Sequence, residues 1–230
     1  MPQHIGIVAC SAEGAALCYR TICIEGAAVM GAHDHPEVSM HTHSLGEYKK
    51  HYPQGDWEGV ARLMLSSAEK LAHAGADFLI CPDNTIHAAF EHVLGKSPLP
   101  WLHIAEEVAK EAQRQGFKRL GVLGTYSLTS TQVYPEKLGQ LGIACEFLDE
   151  AGRREIDRVI MDELVYGQFP PDSLLFFQDS IDDFRQRGCD AVVLGCTEIP
   201  LLVQPGDSAL PTLDSTRLLA RAALKRACGR

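Results

Sequence analysis

Gly188-Cys-Asp-Ala-Val-Val-Leu-Gly-Cys-Thr-Glu-Ile-Pro200 is a short apolar segment that runs from a glycine into a turn of small polar residues. An offset of 113 residues places it on Gly75-Ala-Asp-Phe-Leu-Ile-Cys-Pro-Asp-Asn-Thr-Ile-His87, with glycine on glycine and aspartate on aspartate. Such segments are typical of buried parallel strands, whose carboxyl ends carry the ligand sites of open α/β sheets. In this alignment Asp83 falls opposite Cys196, so each copy brings one acid/base side chain to the end of its strand.

The repeat extends to the start of each half of the chain. Ile5-Gly-Ile-Val-Ala-Cys-Ser11 is similar to Leu120-Gly-Val-Leu-Gly-Thr-Tyr126, and such internal similarity indicates two related structural units. The segment Lys96-Ser-Pro-Leu-Pro100 is typical of a connection between units. We therefore predict two α/β domains, one formed by residues 1–100 with 210–230 and the other by residues 101–209.

Hydrophobic periodicity predicts that strands and helices alternate along the chain. Strands are expected at residues 5–9, 38–43, 78–81, 120–123, 145–148, 191–194 and 210–213. Helices are expected at residues 15–24, 57–74, 86–93, 105–115, 153–166, 173–187 and 215–227. The polar segment 44–57 is expected to form a loop with a helical turn.

The charge balance argues against nucleic-acid and membrane partners. The 230 residues carry a formal net charge of -9, whereas phosphate binding needs clustered Lys and Arg. No apolar run comes close to the length of a membrane span, which is about 18 residues, and the first run is too short for a signal peptide. Eight cysteines without a regular framework favour reduced thiols. We expect a cytoplasmic protein that acts on a small molecule.

The histidines raise the question of a metal site. All ten precede residue 104, and His33-x-His35 lies close in sequence to His41-x-His43. The chain has no His-Glu-x-x-His segment, no Cys-x-x-Cys pair and no obvious third ligand, so we expect solvated histidines and no metal. A lone Gly121-Val-Leu-Gly124 is a weak phosphate motif, which disfavours nucleotide binding.

Two acid/base groups at matching strand ends suit proton removal from one face of a carbon and proton delivery to the other. Neighbouring Ser, Asn and Thr residues can hold a carboxylate and stabilise the enediolate-like charge that develops, and this arrangement requires no cofactor. Two plainer interpretations stay open. Gly195-Cys-Thr197 can be a tight turn with a buried thiol, and Ser11 can simply cap the helix that follows it.

Five segments together resemble the aspartate/glutamate racemase family, especially its bacterial aspartate and broad-specificity amino-acid racemases. They are Gly195-Cys-Thr-Glu-Ile199, Pro82-Asp-Asn-Thr-Ile-His87, Leu123-Gly-Thr125, Leu102-His-Ile-Ala105 and Glu163-Leu-Val-Tyr-Gly-Gln-Phe169. The resemblance implies two pseudo-symmetric Rossmann-like domains, each a mostly parallel sheet flanked by helices, with the active site in the cleft between them.

The reaction that this family implies is a cofactor-independent exchange of the Cα proton between two cysteines, one on each domain. By its position Cys196 resembles the second of these cysteines. The expected substrate contacts are Cys10, Ser11, Tyr52, Asn84, Thr85, Thr125, Thr197 and Glu198. The resemblance also implies a homodimer and an amino acid or similar small carboxylate as the substrate.

The chain departs from the family at the first catalytic cysteine. Asp83 stands there, because Asn84-Thr-x-His87 sets the register, and Cys81 comes two residues too early. Aspartate ordinarily titrates at a pKa of about 3.9 and cysteine at about 8.5, so the two bases are mismatched unless burial raises the pKa of Asp83. A nearby Asp83 carboxylate also raises the pKa of Cys196 and disfavours its thiolate, which makes Cys196 a better proton donor than base.

Substrate recognition also departs from the family. Aspartate-specific relatives carry a lysine that grips the distal carboxylate where this chain reads Arg153-Arg-Glu-Ile156. Arg154 can substitute for that lysine; if it does not, Glu155 repels a dicarboxylate and the substrate need not be aspartate or glutamate. Leu128 stands where many relatives have a second threonine.

Three interpretations follow. The first is an amino-acid racemase or epimerase with Asp83 and Cys196 as opposed acid/base groups. The second is a related decarboxylase in which Cys196 alone protonates a carbanion. The third is a binding protein that kept the pocket and lost turnover.

Overall fold

The first of two sheets has three parallel strands in the computed structural model of the chain, which describes residues 2–229. The strands are β1 (Ile5–Ala9), β2 (Val38–Thr42) and β3 (Phe78–Ile80), in the order β2-β1-β3. The accompanying helices are α1 (Ala12–Met30), α2 (Leu45–Lys49), α3 (Trp57–His73), α4 (Phe90–Val93) and α5 (Ile104–Gln115). Alternate residues of β1 pack on opposite faces: Val8 lies in the cluster around α3, and Ile7 in the cluster around α1.

The second sheet is also parallel and has the order β5-β4-β6-β7. Its strands are β4 (Arg119–Leu123), β5 (Ala144–Glu146), β6 (Ala191–Leu194) and β7 (Thr212–Asp214). The remaining helices are α6 (Tyr126–Thr129), α7 (Val133–Gly139), α8 (Glu150–Asp162), α9 (Pro171–Gln186), α10 (Ile199–Leu202) and α11 (Ser215–Ala227). Short 3-10 helices occupy Tyr52–Gln54, Thr85–Ala89, Leu164–Tyr166 and Pro205–Asp207.

The sequence repeat has the same structural consequences in both sheets. Asp77 accepts a hydrogen bond from the backbone N–H of His4 at 2.7 Å, just before β1 begins. Its counterpart Asp190 accepts one from the backbone N–H of Arg119 at 2.9 Å, at the start of β4. Each aspartate therefore joins the start of one central strand to its neighbour. Gly75 and Gly188, which follow α3 and α9, have φ angles of 90° and 78°, in the left-handed region that glycine tolerates best.

The chain divides into two compact units, which are the described residues through Glu107 with those from Thr216 onwards, and Val108–Ser215. The sequence pattern predicts that residues 210–230 belong to the first domain. In the structure β7 pairs with β6, with Leu213 opposite Val193, so residues 212–214 belong to the second sheet. The chain returns to the first unit only at Thr216, at the beginning of α11.

The predicted α/β fold class is confirmed, since both sheets are parallel and flanked by helices. Helix α1 is longer than the predicted 15–24, because Ser11 caps its start and Gly31, with a φ of 123°, follows its end. The last strand lies at Thr212–Asp214 instead of 210–213. Within residues 2–229, every helix is too short or too polar to cross a bilayer.

Candidate active site

The parallel direction of β1, β2 and β3 brings the segments that follow them to one edge of the first sheet. Cys10 and Ser11 follow β1, and the Asp83 segment follows β3. Tyr52 lies beyond β2 and packs in one buried cluster with Cys10 and Cys81. The predicted residues of the first unit are therefore found together at this edge: Cys10, Ser11, Tyr52, Asp83, Asn84 and Thr85.

Asp83 is half-buried and held at both its side chain and its main chain. Its Oδ1 accepts the backbone N–H of Ile86 at 3.2 Å. Its carbonyl oxygen lies 2.6 Å from Nδ1 of His87. Asn84 and Thr85 beside it are buried. The carboxyl group thus combines partial exposure with a defined orientation, as an acid/base group requires.

Cys81 is fully buried, and its environment keeps it a thiol. Burial raises the pKa of this thiol well above its ordinary value, and the neighbouring Asp83 raises it further. A thiol of raised pKa is a poor base and a poor nucleophile. Cys81 therefore cannot take over the role of a cysteine at position 83.

Tyr48 is a buried polar residue beside Asp83 that the sequence did not reveal as part of this region. Burial raises the pKa of its hydroxyl, and Cys81, Cys10 and Asp83 raise it further. A polar contact with the Ser67 side chain lowers that pKa, but the contact falls outside hydrogen-bond geometry, so the Tyr48 hydroxyl has no well-formed hydrogen bond to residues 2–229. The helical spacing of Leu45, Tyr48 and Tyr52 is the signal that could have found the buried face shared by α2 and the 3-10 helix after it.

Hydroxyl side chains cap the helices that follow both central strands. Ser11 Oγ accepts the backbone N–H of Gly14 at 3.3 Å at the start of α1. Thr125 Oγ1 accepts the backbone N–H of Leu128 at 3.1 Å at the start of α6. Capping uses only an acceptor lone pair of each hydroxyl, so capping in itself is compatible with binding a carboxylate.

In the second unit the ends of β4 and β6 approach closely because both are followed by glycine. The Gly195 N–H donates to the Leu123 carbonyl oxygen at 2.7 Å. A Cβ on Gly195 would lie 2.7 Å from that same oxygen, and one on Gly124 would lie 2.7 Å from a methyl group of Leu128. Leu128, which stands in place of the second threonine, is thus a buried packing residue under both strand ends.

Cys196 and Thr197 both donate hydrogen bonds to one carboxylate oxygen of Glu198. The Sγ–Oε2 distance is 3.0 Å and the Oγ1–Oε2 distance is 2.7 Å. Glu198 is 3% exposed and Thr197 is 4% exposed, whereas Cys196 is half-buried. Glu198, which was expected to contact the substrate, therefore accepts hydrogen bonds from both the Cys196 thiol and the Thr197 hydroxyl.

Arg154 on α8 covers Tyr126, the residue after Thr125. Its guanidinium lies 4.3 Å from the centre of the Tyr126 ring and 2.7 Å from Glu150 Oε1. The backbone N–H of Tyr126 donates to Asp157 Oδ1 at 2.8 Å, which attaches α6 to the same helix. Glu155 pairs with Arg158 at 2.7 Å. Helix α8 therefore carries a cation next to the Thr125 strand end.

The histidines near β2 are engaged by serines of α3. His41 Nδ1 lies 2.9 Å from Ser67 Oγ, and His43 Nε2 lies 3.2 Å from Ser66 Oγ. Burial lowers the pKa of both imidazoles, and Lys70 lowers it further. Across residues 2–229, no group of three or more His, Cys, Asp and Glu side chains is arranged to hold a metal ion.

The chain is similar to racemases in both sequence and structure. The family described as Asp/Glu/Hydantoin racemase matches residues 9–223. A broad specificity amino-acid racemase of Bacillus subtilis is 25% identical over 170 residues, which are 72% of this chain and 71% of that protein. A glutamate racemase of Aquifex aeolicus is 28% identical over 169 residues, 71% of this chain but only 64% of that enzyme. The crystal structure of a candidate Asp/Glu racemase from Yersinia pestis is similar with a TM-score of 0.88 and 28% identity, covering 98% of this chain and 99% of that one.

Proposed function

Because the chain belongs to the Asp/Glu/Hydantoin racemase family, a family of isomerases, we propose that it is a cofactor-independent amino-acid racemase. Asp83 and Cys196 are the two groups that exchange the Cα proton. The observation that carries this proposal is the thiol of Cys196 donating to Glu198, while the matching strand end presents the Asp83 carboxyl group. One group is then ready to accept a proton and the other to give one.

Each proton has a defined donor and acceptor in this mechanism. The Asp83 carboxylate takes the Cα proton from one face and becomes a carboxylic acid. The electron pair of the broken C–H bond moves into the substrate carboxyl group, which becomes an enediolate. Cys196 then gives its thiol proton to the opposite face of Cα and becomes a thiolate. Hydroxyl donors such as Ser11 and Thr125 stabilise the developing negative charge.

Glu198 determines how the enzyme returns to its resting state. A thiolate next to this buried carboxylate is repelled by the like charge, so Cys196 regains a proton readily. Asp83 gives up the abstracted proton to solvent, which its partial exposure permits. In the reverse direction the thiolate is the base and the carboxylic acid is the donor, so both protonation states are needed for racemisation.

Aspartate and glutamate are the first substrates to test. Arg154 supplies a cation beside the Thr125 strand end, where the distal carboxylate of an acidic amino acid can be recognised. Its pairing with Glu150 reduces that charge, so we propose a preference for acidic substrates without strict selectivity.

The experiment is incubation of each enantiomer of the twenty amino acids in D2O, followed by mass and chirality analysis. We expect inversion with one deuterium at Cα for at least one amino acid. Asp83→Asn and Cys196→Ser should each lower kcat by about 10²–10⁴-fold, because each removes one acid/base group. Asp83→Cys, which restores a thiol pair, should keep racemisation.

Matched controls distinguish chemistry from general damage. Asp34→Asn and Cys23→Ser change an exposed carboxylate and a partly buried thiol elsewhere in the first unit, and should racemise like the wild type. Wild-type activity in Asp83→Asn would remove Asp83 from the mechanism. The absence of Cα deuterium exchange with every amino acid would count against racemisation itself.

A second candidate function is decarboxylation with Cys196 as the only proton donor. The thiol held by Glu198 favours it, since a carbanion left by loss of CO2 needs a donor and no base. Release of CO2 from substituted malonates, abolished by Cys196→Ser and retained in Asp83→Asn, would support this function. Cα exchange of amino acids without CO2 release would exclude it.

A further inference from the structure

His87 closes the Pro82–His87 segment, and the proposed reaction gives it no role. It lies on the 3-10 helix Thr85–Ala89 and is 2% exposed. Its ring stacks on Phe90 with centroids 4.4 Å apart and meets the edge of His103 at 4.6 Å. The imidazole is therefore held in one orientation by aromatic neighbours.

Both ring nitrogens of His87 contact backbone groups, and these contacts determine its tautomer. Nδ1 lies 2.6 Å from the carbonyl oxygen of Asp83, which can only accept a hydrogen bond. Nε2 lies 3.2 Å from the backbone nitrogen of Ile104, which can only donate. Nδ1 must therefore carry the hydrogen and Nε2 must be the bare acceptor, so the ring is neutral.

The two contacts join the Asp83 segment to the amino end of α5. Ile104 is the first residue of that helix, so its N–H has no partner within the helix and needs one outside it. His87 accepts a hydrogen bond from this N–H and donates one to the Asp83 carbonyl oxygen, so its ring links α5 to the Asp83 main chain. Because the peptide group is planar, holding that carbonyl also orients the Asn84 N–H.

We propose that His87 is a positioning residue that holds the Asp83 carboxyl group in its working orientation through the Asp83 main chain. The Ile86 N–H holds the Asp83 side chain directly at 3.2 Å, and His87 holds the backbone that carries it. The catalytic consequence rests on the proposed racemase function. A displacement of about 1 Å at a reacting group can cost about 10²-fold in rate, so the clamp matters even though His87 need not touch the substrate.

Two substitutions separate this role from general support of the fold. Asn at position 87 places its amide nitrogen near the position of Nδ1 and keeps the donor to Asp83. Gln reaches the position of Nε2, where its carbonyl oxygen can accept from Ile104, but the donor to Asp83 is lost. Both remove the ring stacked on Phe90, so a purely structural role predicts equal losses.

Kinetics on the amino acid that the wild type racemises provide the first test. We expect His87→Gln to lower kcat by about 10–100-fold with KM changed less than about twofold, and His87→Asn to recover most of that loss. His73→Gln, an exposed histidine on α3, is the matched control. Equal kcat in the Asn and Gln variants, corrected for folded fraction, would overturn the proposal.

A spectroscopic test does not depend on activity. Long-range 1H–15N correlation of the histidine side chains in the wild-type protein should show His87 protonated at Nδ1 and bare at Nε2. Protonation at Nε2 would overturn the clamp, even if the variants could not be purified. An inactive wild type with the expected tautomer would reject the racemase function while leaving the clamp in place.

Discussion

Burial divides the cysteines near the strand ends into sealed and accessible thiols. Cys81 has no exposed surface, and its raised pKa keeps it protonated. Cys196 is half-buried and donates to Glu198, so its proton is held yet accessible. Two thiols that are indistinguishable as sequence letters therefore have different chemistry, because solvent access and neighbouring charge control thiol reactivity.

Tyr48 gives a prediction about stability. Its buried hydroxyl has no hydrogen bond to residues 2–229, so Tyr48→Phe removes an unsatisfied polar group and should raise the free energy of unfolding by about 1 kcal/mol. Tyr134, equally buried, has Ser215 as a hydroxyl partner, so Tyr134→Phe should lower it by about 1 kcal/mol. Urea unfolding measures the free energy of unfolding of both variants against the wild type. A loss in Tyr48→Phe would mean that the hydroxyl is satisfied in solution.

Glu198 gives a prediction about reactivity. Glu198→Gln removes the negative charge beside Cys196 at nearly constant size, so the thiolate should form more easily and react about tenfold faster with iodoacetamide at pH 7. Mass spectrometry of the alkylated peptides measures the rate, with Cys23 as an internal reference. An unchanged rate at Cys196 would mean that the carboxylate does not influence the thiol.

At the scale of elements, the strand ends are held by short contacts that need particular residues. Asp77 and Asp190 hold the beginnings of the central strands, and Gly195 allows β4 and β6 to approach at their ends. These contacts let a buried strand deliver a polar turn to a fixed place. Chemistry at a strand end thus depends on the backbone beneath it.

Gly195 provides the test of that dependence. Gly195→Ala would place a Cβ 2.7 Å from the Leu123 carbonyl oxygen, and relieving the clash should cost about 1–3 kcal/mol of stability. Gly206→Ala, where no heavy atom lies within 4 Å of a Cβ, is the control and should change stability by less than about 0.5 kcal/mol. Thermal or urea unfolding compares the two. Equal stabilities would show that the strand ends can separate freely.

Helix α8 carries the prediction about specificity. Arg154→Ala should raise KM for aspartate and glutamate by about tenfold and leave KM for neutral amino acids unchanged, because one charged hydrogen-bond donor is lost. Arg185→Ala on α9 is a matched surface control. Parallel changes for acidic and neutral substrates would argue against recognition by Arg154.

At the scale of the whole molecule, substrate binding should be measurable independently of substrate turnover. A ligand that binds only the folded state stabilises it by about 2.7 kcal/mol at a concentration of 100 times Kd. Substrate should therefore raise the melting temperature of wild type, Asp83→Asn and Cys196→Ser, although only the wild type turns over. If substrate raised the melting temperature of all three proteins and even the wild type showed no turnover, the binding-protein interpretation would be favoured.

Much of the architecture was predictable because it rests on local patterns. The limits of β1, β6 and α11 agree with those expected, since apolar runs and helical stripes depend on neighbours in sequence. The repeat placed Asp83 and Cys196 at equivalent strand ends. The segment after β2 was harder to predict from the sequence. Its helix α2 is short, and the burial of Tyr48 depends on packing against segments remote in sequence.

The sequence by itself determined the α/β class, the internal repeat and the family, because each is carried by the order of residues along the chain. Only the tertiary structure decided which thiol is sealed, that Cys196 donates to Glu198, that β7 joins the second sheet and that His87 links Asp83 to α5. These features depend on distances between groups and on exclusion of water. Both arise when remote segments pack together, and neither can be read from spacing alone.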